Sequence, residues 1–79
     1  MKTLDNLSVG ESCLTDSINI NGSMLRRFID IGLVENTFVK CVSESPSGDP
    51  KAYLIRGAVI AIRSEDAEKI SIKKVKKWD

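Results

Sequence analysis

The 79-residue chain has no histidine, which removes the commonest general base and the commonest nitrogen ligand for a metal. Its two cysteines, Cys13 and Cys41, are too widely spaced for a C-x-x-C knuckle. They read as two buried thiols in a reducing compartment, not as a redox pair or a metal centre. Aromatic residues are scarce, being Phe28, Phe38, Tyr53 and Trp78. With Phe28 expected in the core, too few are left to line a groove for proline-rich peptides. Charge of one sign is lacking as well, since 12 Lys and Arg against 11 Asp and Glu leave a net charge of +1. A general polyanion binder needs clustered, uncompensated cations. The longest unbroken apolar run, Ala58 to Ile62, falls far short of the roughly 20 residues a membrane-spanning helix needs. The start, M-K-T-L-D-N-L, has no apolar core of a signal peptide. No G-x-x-x-x-G-K-[ST], G-x-G-x-x-G or G-x-S-x-G occurs, and the carboxylates show no pairing that calls for acid/base work. The chain is expected to be a non-catalytic module without cofactor or metal.

What is present is organised around Ser23 to Asn36, S-M-L-R-R-F-I-D-I-G-L-V-E-N, the one stretch with a clear helical period. At 100° per residue, Met24, Leu25, Phe28, Ile29 and Ile31 share one arc, and Arg26, Arg27 and Asp30 share the opposite one. Ser23 is the expected N-cap and Gly32 the left-handed residue that ends the helix, with Leu33 then touching Phe28. A helix of about nine residues is unstable alone in water and must lie on a sheet.

The remainder reads as short strands. Thr3 to Leu7 is a turn anchored by Leu4 and Leu7, and Glu11 to Ile18 is a strand whose facing is left open between Cys13 and Thr15 on one side and Leu14 on the other. In Thr37 to Ser43, Lys40 marks the wet side. Val39 and Cys41 should therefore point inward and Phe38 and Val42 outward, since alternate residues share a face. Ser43 to Pro50, S-E-S-P-S-G-D-P, is turn chemistry. Lys51 to Arg56 is a strand, Gly57 a bend, and Ala58 to Arg63, apolar on both faces, a central strand. Ser64 to Glu68 fits one helical turn with Ser64 as cap. Ile70 and Ile72 supply a short last strand. The expected fold is mostly β: one domain, residues 1–72, as a small antiparallel barrel of about five strands with a helix after the first. Residues 73–79 are expected to be a basic tail. No internal repeat is visible.

The ordered series L-R-R-F-I-D-I-G-L (Leu25 to Leu33), S-G-D-P (Ser47 to Pro50), I-R-G (Ile55 to Gly57), I-A-I-R (Ile60 to Arg63) and Ala67-x-x-Ile70 resembles the FeoA family, ferrous iron transport protein A. The resemblance spans about Leu7 to Ile72. It implies an SH3-like barrel with a helix after the first strand, and a small cytoplasmic protein, at most peripheral at the inner face of the membrane. Its implied role is to assist the ferrous iron transporter FeoB, and its association with transition metals stays at family level, with no residue assigned. Similar domains end the iron-dependent repressors, and a stray repressor domain is a third, less favoured expectation, since the 79 residues include no helix-turn-helix pattern. The chain departs from the family pattern at Glu35-Asn36, where Pro-Gly is usual and Asn tolerates the left-handed turn. It departs again at Ser47 and Lys51, where apolar residues are usual.

Two surfaces are candidates for a partner. One is the helix face Arg26, Arg27 and Asp30, for which a solvated face with weak i,i+3 and i,i+4 pairs is the simpler reading. The other is an outward apolar patch of Phe38, Val42 and Leu54 with Ala52, a transporter or self-association site unless the N-terminal arm, through Leu4 and Leu7, or the tail covers it. Ser23, Gly32, Asn36, Gly48, Asp49, Pro50 and Gly57 read as structural turn and cap residues, and Arg56 and Arg63 as donors to turn carbonyls. The basic end Lys73 to Trp78 allows a frayed terminus, contact with anionic headgroups, or, as the rival function, a nucleic-acid-binding barrel.

Overall fold

A computed structural model describes residues 2–77. After a 3-10 turn at Leu4–Asn6 come β1 (Glu11–Ile18), α1 (Gly22–Asp30), β2 (Phe38–Glu44), β3 (Lys51–Ile55), β4 (Ala58–Ile62), α2 (Ser64–Ala67) and β5 (Ile70–Lys77). The strands form one antiparallel sheet in the order β4-β3-β2-β1-β5. Among the described residues no ladder joins β4 to β5. The sheet is therefore bent but open, with its ends linked through α2, and the 3-10 turn lies beside α2 and β5.

Alternation along the strands sets the core. Val39 and Cys41 of β2 pair with Ile55 and Tyr53 of β3, and all four are buried. Leu4 and Leu7 close this core from the N-terminal side, where the Tyr53 hydroxyl donates to the Leu4 carbonyl at 3.3 Å. Burying a large apolar side chain stabilises by about 1.5–3 kcal/mol, so these two leucines make the N-terminal arm part of the domain. Lys51 fastens the same arm: its ammonium donates to the carbonyls of Asp5 and Leu7, each at 2.8 Å.

The helix ends as its sequence dictates. Gly32 has φ +89°, the Leu33 amide donates to the Phe28 carbonyl at 2.8 Å and the Gly32 amide to the Ile29 carbonyl at 2.9 Å. These are the two bonds of a Schellman ending. The loop onward to β2 is held by two buried threonines, the Thr37 amide donating to Thr15 Oγ1 at 2.9 Å and the Thr37 hydroxyl to the Val34 carbonyl at 2.7 Å. Asn36 takes the left-handed conformation in that loop, at φ +59°.

Several expectations need correction. The N-cap position of the helix is Asn21, not Ser23, without a side-chain capping bond, and Ser23 lies within the first turn. Ile29, at the margin of the apolar arc, is exposed because the contact with the sheet centres on Phe28. β4 is an edge strand, not a central one; its apolarity on both faces imitates the pattern of a strand buried on both sides. The last strand does not stop at Ile72: β5 continues to Lys77, pairing Lys76 with Ser12 and Lys77 with Glu11. The boundary at residue 72 therefore falls inside a strand. Lysines mimic a disordered end because a sheet edge is also where lysine is favoured. Trp78 and Asp79 of the expected tail lie outside the described residues. At α2 the carboxylate of Asp49, not the Ser64 side chain, accepts from the first turn, 2.9 Å from the Ser64 amide and 3.2 Å from its hydroxyl.

Candidate docking face

The outward face of the sheet follows from the same pairings. Directly opposed residues point to one side of a sheet, so Val59, Leu54, Lys40, Ser12 and Lys76 form one row across all five strands. Phe38, Leu14 and Lys73 form the next. Phe38 is 50% and Val59 64% exposed, and Leu54 and Leu14 are half-buried. The N-terminal arm does not cover this face, because Leu4 and Leu7 are sunk in the core. Phe38 separates two shallow depressions, one with Leu54 and Arg56 and the other with Cys13 and Lys74, both sharing Leu14.

The lysines surround the apolar strip on the β1–β5 half. Lys73, half-buried, lies 3.9 Å from the exposed Asp16, a solvent-screened contact worth little in water. Among the described residues, Lys40, Lys74 and Lys76 have no ion pair. The face thus pairs an apolar centre with a basic margin, the chemistry of a surface that receives an apolar and acidic one.

Of the residues expected there, the structure brings Phe38 and Leu54 together. Val42 falls at the irregularity between Cys41 and Ser43, where it has no opposed residue, and Ala52 lies farther along beside Ala61. Arg26, Arg27 and Asp30 are exposed on a separate surface, where Arg26 and Asp30 border a shallow depression with Leu25 and the exposed Ile29. Leu14 and Val59 were not singled out as surface residues by sequence reasoning, which read Lys40 only as the mark of a wet face and Lys76 only as part of a basic end. Leu14 was legible only as one side of an unassigned strand, and Val59 was masked by an apolar run without alternation.

The remaining candidates are structural. Gly48 and Gly57 have positive φ, and the Asp49–Pro50 peptide is cis. Arg56 and Gly57 form the two-residue β3–β4 turn, both left-handed, as twisted hairpins require. The Arg56 guanidinium donates through Nε to the Gly32 carbonyl at 3.2 Å, so it serves the helix-ending turn and not its own hairpin. No side-chain hydrogen bond or ion pair is found for Arg63 among the described residues.

Reactive groups are tuned for inertness. Burial, with a smaller contribution from Glu11, pushes the Cys13 thiol up to about 11, and burial raises Cys41 and Tyr53 also. Neither cysteine is in a disulfide, and a protonated buried thiol is a poor nucleophile and metal ligand. Among the described residues no three His, Cys, Asp or Glu side chains gather where they could share a metal ion. Among the described residues no helix is long and apolar enough to cross a membrane.

The fold and this face define a small SH3-like β domain whose chemistry is that of surfaces. The family model of the FeoA domain matches residues 2–74, and the chain belongs to the FeoA family. The solution structure of FeoA from Chlorobium tepidum is 28% identical, covers 90% of this chain and 68% of its own, and superposes with a TM-score of 0.84. A zinc complex of FeoA from Stenotrophomonas maltophilia, described as a procaryotic SH3 domain protein and a candidate ferrous iron transport activating factor, covers both chains fully at 21% identity and a TM-score of 0.88. A manganese-dependent transcriptional repressor shares the fold at 20% identity, covering 87% of this chain and 39% of its own, with a TM-score of 0.75. No curated protein matches.

Proposed function

We propose that this chain is a non-catalytic accessory protein of bacterial ferrous iron uptake that acts by protein–protein contact on the cytoplasmic side of a FeoB-type transporter. The observation that carries the reading is the strip of exposed Phe38 and Val59 and half-buried Leu54, which no other described residue hides from solvent, beside Lys40 and Lys76. Exposed apolar patches rimmed by polar groups mark interaction sites. Membership of the FeoA family and the activating role suggested for the Stenotrophomonas protein supply the partner's class.

The test is a pull-down of the full transporter by the parent chain and by Phe38→Ser with Leu54→Ser, with and without nucleotide. The parent should retain the transporter in at least one nucleotide state. The double variant should bind at least about tenfold more weakly, a loss of roughly 1.4 kcal/mol. Retention undiminished by the double substitution would place the contact elsewhere, with the Arg26–Asp30 helix face next in line.

A further inference from the structure

The two edges of the sheet are built in opposite ways. β5 carries Lys73, Lys74, Lys76 and Lys77, its register with β1 is interrupted twice, Lys74 has φ +52°, and the N-terminal segment bonds to it through the Ile72 amide and the Lys2 carbonyl at 3.0 Å. Lysines, bulges and a covering segment are the devices that keep a sheet edge from pairing with another chain. β4, Ala58–Ile62, has none of them: it holds no charge and no proline, and its five pairs with β3 run without a break.

The ladder fixes which backbone groups of β4 are free. The two-residue turn makes Ile55 and Ala58 a hydrogen-bonded pair, so bonding alternates to Ile60 with Tyr53 and Ile62 with Lys51. Val59 and Ala61 therefore turn their N–H and C=O groups away from β3. Beyond this edge lies a groove of about 460 Å³ lined by Met24 and Phe28 of α1, by Ile31 just past its end and by Ile60 of β4.

We infer that β4 is the pairing edge of a symmetric dimer, in which the β4 strands of two copies of this chain run antiparallel about Ile60 and join two sheets into one. The pairing uses the backbone of Val59, whose side chain belongs to the docking face above, but the inference does not rest on the proposed transporter contact. In this register Val59 of one copy opposes Ala61 of the other, twice by symmetry, and all four free N–H and C=O pairs are used. Ile60 meets its own copy on the inner side, over the groove. Beyond the strand ends the same register brings the Arg56–Gly57 turn of each copy towards Arg63 and the start of α2 of the other, where Glu65 and Asp66 of the first turn offer acidic partners to the two arginines. An isologous contact of this kind closes after two copies and leaves only the lysine-guarded edges exposed.

Sedimentation equilibrium of the parent chain should give twice the monomer mass at high concentration, and Ala61→Pro should give a monomer. Proline is tolerated on an edge strand where the amide faces outward, so the variant should keep the parent's β-sheet circular dichroism. Hydrogen exchange on the parent gives a reading that needs no variant. The Val59 and Ala61 amides should exchange at least about tenfold more slowly at high than at low concentration, while the Ile60 amide, already bonded to β3, should not change beyond the general stabilisation. A parent chain that stays monomeric up to about 1 mM, a dimer untouched by Ala61→Pro, or Val59 and Ala61 amides indifferent to concentration would each overturn the inference.

Discussion

Gly32 carries more of the fold than any other single residue without a side chain. Its φ of +89° excludes most L residues, and a Cβ there would lie 2.9 Å from Cγ of Arg56, whose guanidinium bonds the Gly32 carbonyl. Gly32→Val should cost several kcal/mol, from left-handed strain plus displacement of Arg56, out of the roughly 4–12 kcal/mol available to a chain of this length. Urea denaturation measures it, and a midpoint within experimental error of the parent would show that the helix ends elsewhere. The thiols give a pH prediction. Below about pH 9 Cys13 is protonated in both folded and unfolded chains and has no effect; above it the unfolded chain loses the proton while the folded chain holds it to about 11. Stability should thus be level from neutral pH to about 8 and fall beyond 9, by about 2 kcal/mol for this thiol, with Cys41 and Tyr53 acting in the same sense. Denaturation midpoints that stay level to about pH 10.5 would contradict the burial of these groups. Gly32 was legible because its helix-ending signal is local. Its contact with Arg56 was not, since 24 residues separate the two and only the folded sheet brings them together.

At the scale of elements, the misread strands are the instructive ones. Alternation oriented β2 correctly because Lys40 marks its wet face while Val39 and Cys41 are buried. It failed for β4, where no polar residue marks a face, and for the end of β5, where lysines imitate a disordered terminus. β5 now carries a definite expectation. Removing residues 73–79 would strip the partners of Glu11, Ser12 and Leu14 and leave β1 an edge with Cys13 and Ser12, both buried in the intact chain, beside open solvent. The truncated chain should melt well over 10 °C lower, given that each kcal/mol moves a domain of this size by about 4–8 °C. Melting near the parent temperature would restore the reading of a dispensable tail. Lys51 gives a second expectation at this scale. Lys51→Met keeps the length of the stem but leaves the carbonyls of Asp5 and Leu7 without their donor. A loss of about 1–3 kcal/mol is expected, together with faster amide exchange in the 3-10 turn than in β2.

For the whole molecule, the decisive question is which side of the sheet is the inside, because the same strands present the core to one side and the proposed docking face to the other. Phe38 and Val39 are neighbours in β2, and Leu54 and Ile55 are neighbours in β3. Yet Val39 and Ile55 are fully buried and paired with each other, while Phe38 is half exposed and Leu54 partly so. Polar substitution should separate the two sides sharply. Val39→Ser with Ile55→Ser removes buried methyl groups and places two hydroxyls in an apolar core, an expected cost of several kcal/mol and loss of the folded state at moderate temperature. Phe38→Ser with Leu54→Ser, one residue away in each strand, should change stability by no more than about 1 kcal/mol, as surface substitutions do. Circular dichroism melts of the two double variants side by side make the comparison. Should the Phe38 and Leu54 pair unfold the chain as readily as the Val39 and Ile55 pair, the outer face would have to be covered in the native state, and the strip could no longer be offered to a partner.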